Sequence, residues 1–232
     1  MNARGRKWLK HPWARLWMQF AGPGFAGRMA TRLAAIGAPP YKGRRYLARF
    51  SHIGYVSPSA RIHGAAIQLG PYTFVGDRVT ILNADDGGAV TIGEASCIHQ
   101  DGIIEVGQGG SLTIGCRTHI QPRVQFSCYK GQVTIGHNVQ IAPGCAFYPY
   151  DHQMHLEQKI IDQPLLTRGG IIIDDDVWLG YGVLVLDGAR IGKGAVIGAG
   201  AVVKGEIEPG AIAAGVPARI FAHRGEHKTV RN

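Results

Sequence analysis

"IDDDVWLGYGVLVLDGARIGKGAVIGAGAVVKGEIE", residues 173–208, repeats every six residues. An aliphatic residue opens each hexad: Ile173, Leu179, Val185, Ile191, Ile197 and Val203. The same pattern runs upstream in the triplets Leu69/Val75/Ile81, Ile92/Ile98/Ile104, Ile114/Ile120/Phe126 and Ile135/Ile141/Phe147, with a weaker turn at Val56 and Ile62. The fifth position of the first two hexads is small throughout, from Thr73 and Val79 to Ala195 and Ala201. In the third hexad it is unrestricted: Asp85, Gln108, Lys130, Asp151, Ala189, Ile207. The true period is therefore eighteen, with one corner unlike the other two.

One apolar and one small residue per short strand point inward, three strands close a coil, and coils stack into a solenoid because no coil buries its apolar side alone. Glycines at the second position, such as Gly70, Gly93 and Gly115, suit tight turns. A six-residue period fits neither an amphipathic helix nor an alternating sheet strand. Extra residues fall only after third hexads: five before Ile92, four before Ile114, three before Ile135, twenty before Ile173 and none before Ile191. The long stretch is a loop, 153–172, leaving the one corner that tolerates loops, and inserts on one face mark a binding face. Asp151-His152 sit where it departs.

The chain has 232 residues and no apolar run long enough to span a membrane as a helix. Its basic N-terminus lacks the apolar core of a signal peptide. Four well-separated cysteines, Cys97, Cys116, Cys128 and Cys145, argue against a disulfide framework or zinc knuckle and for reduced thiols in a cytoplasm. No acidic residue precedes Asp77, whereas twelve of the 25 Lys and Arg do. The net charge of +9 thus belongs to the N-terminal third and points to an anionic partner there.

"VTIGHNVQIAPGCAFYPYDH" (133–152), Val177-Trp178-Leu179-Gly180 and Gly215-Val216-Pro217-Ala218-Arg219 resemble the hexapeptide-repeat acyltransferases, in particular the galactoside, xenobiotic and polysaccharide O-acetyltransferases. The resemblance covers residues 56–222 and implies a left-handed parallel β-helix, an all-β fold. Residues 1–55 then form a basic, partly helical arm and 223–232 a tail. It further implies acetyl-CoA as acyl donor, no metal, and a homotrimer with sites between subunits.

His152 matches the family's catalytic base; a hydroxyl attacking a thioester must lose its proton, and neutral imidazole suits that task. Asp151 or Glu157 would orient the ring, and His155 is the second candidate base. Tyr181, Ala199, Lys204 and Arg219 fall at the family's cofactor-binding positions, Lys204 shifted by one residue. Gln121, Arg123 and Trp178 are expected on the acceptor side. His99, His119 and His137 raise a zinc-dependent carbonic-anhydrase-like hydratase as an alternative, but they occupy different hexad positions and do not stack as a triad. A non-catalytic scaffold is the third alternative.

Ahead of the repeat, Trp13, Leu16, Trp17 and Phe20 share one face of a helix that Pro12 opens. Phe25, Met29, Leu33 and Ile36 mark a second helix. Two roles fit: a cap on the open end of the solenoid, or an aromatic and basic face on anionic lipid through residues 1–40, peripheral at the inner membrane face. Charge alone also permits nucleic acid, for which no motif is present, so no nucleic-acid partner is expected.

Overall fold

The computed structural model describes residues 12–22 and 24–225. Arg4, Arg6, Lys7, Trp8, Lys10 and the end of the tail lie outside these residues. Helices α1 (Pro12–Met18) and α2 (Phe25–Ala34) are followed by a 3₁₀ stretch, Tyr41–Phe50, and then by short strands from Tyr55 to His223. These strands form three parallel stacks, the walls of a three-sided β-helix. Face A runs from Tyr55–Val56 through Phe74–Val75, Cys97–Ile98, His119–Ile120, Gln140–Ile141 and Trp178–Leu179 to Val196–Ile197. Face B runs from Arg61–His63 to Val202–Val203, and face C from Ile67–Leu69 to Glu206–Ile207. An antiparallel hairpin, Ala211–Ala214 with Arg219–His223, finishes face A.

Each hexad-opening residue points inward, and the core is one continuous column from Val56 to Ala213. Phe126 and Phe147, the two aromatic openings, stack on face B with centroids 4.5 Å apart. The small fifth positions are buried at the corners. Where they are hydroxyls they tie coil to coil. Ser96 Oγ donates to the Gly115 carbonyl at 2.7 Å and accepts from Thr118 N at 3.0 Å. Thr118 Oγ1 in turn donates to the Gly136 carbonyl at 2.9 Å.

The second-position glycines have a different cause from the one expected. They are absent from the positive-φ residues, which sit instead at the fourth position, as at Gly144, Gly182 and Gly200. A Cβ on Gly93 would meet Gly115 C at 2.6 Å, and one on Gly115 would meet Gly136 C at 2.6 Å. These glycines are required because successive coils touch there, not because the chain turns.

The arm also departs from the end-cap reading. It lies along the outside of face A, where Ala14, Met18, Ala34, Leu47 and Ala48 form a second core with Tyr55, Phe74 and Cys97. Those last three are the outward residues of the first three face-A strands, and they are apolar where the arm covers them. Below, the outward column turns to His119, Gln140 and Trp178. The 3₁₀ stretch adds polar fastening: Arg44 pairs with Asp77 at 2.8 Å, and Tyr41 OH donates to Gln121 Oε1 at 2.9 Å.

Under this strap His99 is 0 % exposed, between the rings of Tyr41 and Phe74, and neither ring nitrogen has a partner among the described residues. Burial, reinforced by Arg45, His119 and Lys42, pushes its pKa down to about 4. The folded state therefore holds His99 neutral, so its contribution is intact above the ordinary pKa of 6.5 and is lost as pH falls toward 4. Between pH 7 and 4.5 this one group should cost about 2–3 kcal/mol. Denaturant titrations should show the His99→Leu variant losing less stability than the native protein over that interval by about this amount; equal losses would contradict the assignment.

Candidate active site

The chain leaves the wall after the face-B strand Ala146–Tyr148 and returns at the face-C strand Ile171–Ile173. The excursion is built, not slack. Asp151–His152 pairs antiparallel with Leu165–Leu166, so the loop begins and ends as a two-stranded ribbon. Asp187, 3 % exposed on the next coil, holds the returning limb. It accepts from Thr167 Oγ1 and from Gly170 N, both at 3.0 Å, and from Arg168 N. At the outer end Gln163 is buried and clamps the turn, accepting from His155 N at 2.8 Å and donating to the His155 and Gln158 carbonyls.

His152 is exposed at the root of this ribbon. Its neighbouring ring is Tyr150, 6.3 Å away between centroids. Tyr150 also meets Tyr148 and Tyr129, at 6.3 and 5.9 Å, and its hydroxyl lies 3.3 Å from Ser127 Oγ. The imidazole thus stands at the end of a row of phenols that sequence reasoning missed. Asp151 does not face the imidazole as a triad carboxylate would. Successive strand residues point to opposite faces, and its carboxylate meets Arg168 at 3.5 Å. Arg168 and Asp151 brace the two limbs.

The remaining expected residues fall into separate groups. Tyr181 and Ala199 lie on the A–B corner, where Gly200 N donates to the Tyr181 carbonyl at 2.8 Å. Along that corner the left-handed position is Arg78, Asp101 and Arg123 in the upper coils, then Gly144, Gly182 and Gly200. The lower corner is therefore bare: a Cβ at Gly182 or Gly200 would touch nothing within 4 Å. Gln121 and Arg123 belong to the upper part of the same corner, and Gln121 is engaged by Tyr41 of the arm. Trp178 stands exposed on face A between Gln140 and Val196. Arg219 is exposed in the last hairpin strand, its Nη1 donating to the Ala218 carbonyl at 3.0 Å. Lys204 follows the face-B strand Val202–Val203, so it shares the B–C corner with His152 and not the corner of Tyr181 and Ala199. Within one chain, His152 and the bare corner lie on opposite edges of face B, about 10 Å of strand apart before the turns are added.

Other chemistries find less support in the geometry. Burial pushes the Cys128 thiol up to about 12 and those of Cys97 and Cys145 up to about 11, so none of the three is a poised thiolate. Among the described residues no three His, Cys, Asp or Glu side chains converge as metal ligands. His99 is sealed under Tyr41, His119 Nδ1 faces Arg45 at 3.1 Å, and His137 Nδ1 accepts from Cys116 N at 2.8 Å.

Residues 170–205 match the family described as bacterial transferase hexapeptide (six repeats). The chain is a hexapeptide-repeat β-helix, similar in sequence to acetyltransferases. The galactoside O-acetyltransferase of Escherichia coli is 39 % identical over 89 residues, covering 38 % of this chain and 43 % of that protein. A protein of Mycobacterium tuberculosis named a probable acetyltransferase is 29 % identical over 161 residues, 69 % of this chain and 45 % of its own. A tetrahydropyridine-dicarboxylate N-acetyltransferase of Staphylococcus aureus is 33 % identical over 93 residues, 40 % of this chain and 34 % of its own. The chain thus spans less than half the length of these curated relatives. In fold it is similar to a mutant of AntD, an N-acyltransferase from Bacillus cereus in complex with dTDP and coenzyme A. That likeness has a TM-score of 0.50 at 18 % identity and covers 73 % of this chain and 80 % of the other.

Asp187 is the residue on which the loop root depends. Asp187→Ala strands the Arg168 N–H and the Thr167 hydroxyl, leaves Gly170 N only its 3.2 Å bond to Thr167 Oγ1, and should cost about 1–3 kcal/mol. Hydrogen exchange should rise at residues 168–170 and proteolytic nicking should appear within the loop, while the coils on either side stay protected.

Proposed function

We propose that the chain is an acetyl-CoA-dependent O-acyltransferase that delivers an acetyl group to a hydroxyl of a sugar or polysaccharide precursor. The observation that carries this reading is the fixed loop root: an exposed imidazole beside a row of tyrosines, held by a buried aspartate. The names of the relatives supply the reaction class. Flat phenol faces suit the C–H-rich faces of a sugar ring, and their hydroxyls suit its polar edge.

In the proposed reaction His152 takes the proton of the acceptor hydroxyl as its oxygen attacks the thioester carbonyl. The carbon–sulfur bond breaks, the coenzyme A thiolate leaves, and the proton on the imidazole neutralises it. A positioned base of this kind contributes about 10²–10⁴-fold. Asp151 acts at one remove by fixing the ribbon through Arg168. The lower A–B corner, stripped to Gly144, Gly182 and Gly200 and flanked by Tyr181 and Ala199, is shaped for an extended, thin arm such as pantetheine, with Arg219 toward the phosphates. Gln121, Arg123 and Trp178 belong to the acceptor side of this proposal, and Lys204 to the phosphate side. The N-acetyltransferase relative favours an amine acceptor as the second reading, and the same base serves both.

His152→Ala should lower kcat by about 10²–10⁴-fold in a thiol-release assay with acetyl-CoA, leaving acetyl-CoA affinity near that of the native chain. His155→Ala should do much less. Full turnover by His152→Ala would remove the base from the proposal. Hydroxyl and amine acceptors run side by side in the same assay separate the two readings.

Because His152 and the bare corner lie on opposite edges of face B, the proposal needs a neighbour to bring them together. A threefold arrangement does this by setting the B–C corner of one chain against the A–B corner of the next. The loop supplies apolar surface for such a contact, with Met154, Leu156, Ile160 and Ile161 exposed. Light scattering should give a mass near three times 24.9 kDa. A monomeric mass with activity retained would contradict the shared site.

A further inference from the structure

The arm buries one side and exposes the other, and the exposed side is the apolar one. In α1 the residues turned to the body are Ala14 and Met18, followed by Ala21. In α2 they are Ala30, Thr31 and Ala34. The large side chains point away: Leu16, Phe20 and Phe25 are 52, 63 and 85 % exposed, and Trp13, Met29 and Ile36 accompany them. The two helices form one surface, since Trp13 Nε1 donates to the Leu33 carbonyl at 2.9 Å and the rings of Trp13, Trp17 and Phe20 are in series. Folding therefore uses Met18 and the small residues around it as the seat and leaves the aromatic stripe outside. An exposed stripe of this kind asks for a partner.

The charge around it says which kind. Arg15, Arg32, Lys42 and Arg49 stand exposed on the arm, and no acidic residue occurs in the chain before Asp77. A protein partner chosen by apolar contact alone would not require a field of one sign. Nor does the exposed loop share this character, because Glu157 and Asp162 lie among its apolar residues beside Lys159. Tryptophan with an apolar face and flanking cations, free of acid, fits the headgroup layer of an anionic bilayer: rings at the acyl boundary, cations among the phosphates. Among the described residues no helix is long and apolar enough to cross a membrane, so the contact is one of lying on the surface.

We propose that the exposed face of α1 and α2 docks the protein onto an anionic phospholipid surface, with Leu16, Phe20 and Phe25 inserted and Arg15 and Arg32 paired with lipid phosphates. This inference stands independently of the acyl-transfer reading. If both hold, the arm keeps the loop root beside an acceptor carried on lipid.

The test is flotation of the full chain with two sets of vesicles, phosphatidylglycerol mixed with phosphatidylcholine and phosphatidylcholine alone. The native chain should float with the first set, not with the second, and should be released by salt. Leu16→Glu/Phe20→Glu/Phe25→Glu, all at exposed positions, should weaken binding by about tenfold or more while keeping the native melting temperature and mass. Arg15→Glu/Arg32→Glu should weaken it by about tenfold through charge alone. The proposal is overturned if the native chain stays at the bottom of the gradient, or if both variants float as it does. It is equally overturned if the triple variant changes the mass of the assembly, since the face would then be a contact between copies of the chain.

Discussion

Stacked coils approach each other so closely at Gly93, Gly115 and Gly136 that no side chain fits between them there. A single Cβ at Gly93 or Gly115 would sit 2.6 Å from the backbone of the coil beneath. The parallel ladders set the pitch on all three faces, and these glycines let the coils close to it. Inward side chains then stack in columns, and buried hydroxyls such as Ser96 and Thr118 reach the neighbouring turn at hydrogen-bond distance. Freedom to diverge survives at one place, the B–C corner, where every insert falls. The candidate chemistry is found at that corner.

The division of labour around the triangle follows. Face C does little beyond stacking in the lower coils, and face A there presents Trp178 and the final hairpin. The two edges of face B carry the exposed imidazole on one side and the glycine-lined strip on the other. A rigid wall of fixed width keeps these apart, and no bending of a closed coil brings them together. The proposed reaction therefore calls for a second chain at this wall.

Much of this could be read from the chain before any coordinates. The hexad openings define the inward column, and the uneven insert lengths locate the divergent corner and His152 with it. Both are legible because they are periodic, and a period is a property of sequence alone. The seat of the arm was not read, although its trace is present: Tyr55, Phe74 and Cys97 are apolar at outward positions. Helical spacing pointed to Trp13, Leu16 and Phe20 as a buried or membrane face and gave no weight to Ala14 and Met18, which are the residues that pack. Asp187, Tyr148 and Tyr150 were missed because their importance comes from contacts between coils or across the loop root, which no local pattern encodes. Asp151 beside His152 suggested a paired carboxylate, but neighbours in a strand diverge, and the ribbon gives Asp151 to Arg168.

The confinement of inserts to one corner has a consequence for how such a chain can change length. At the A–B and C–A corners a single added residue would turn the following strand inside out, placing charged side chains in the column and apolar ones in water. Growth there is possible only by a whole coil of eighteen residues, which reproduces every contact it interrupts. At the B–C corner the same chain already carries additions of three, four, five and twenty residues with the column unbroken. The scaffold therefore changes size in fixed steps while its loop-bearing edge varies continuously, so new loops are accessible without any renegotiation of the core.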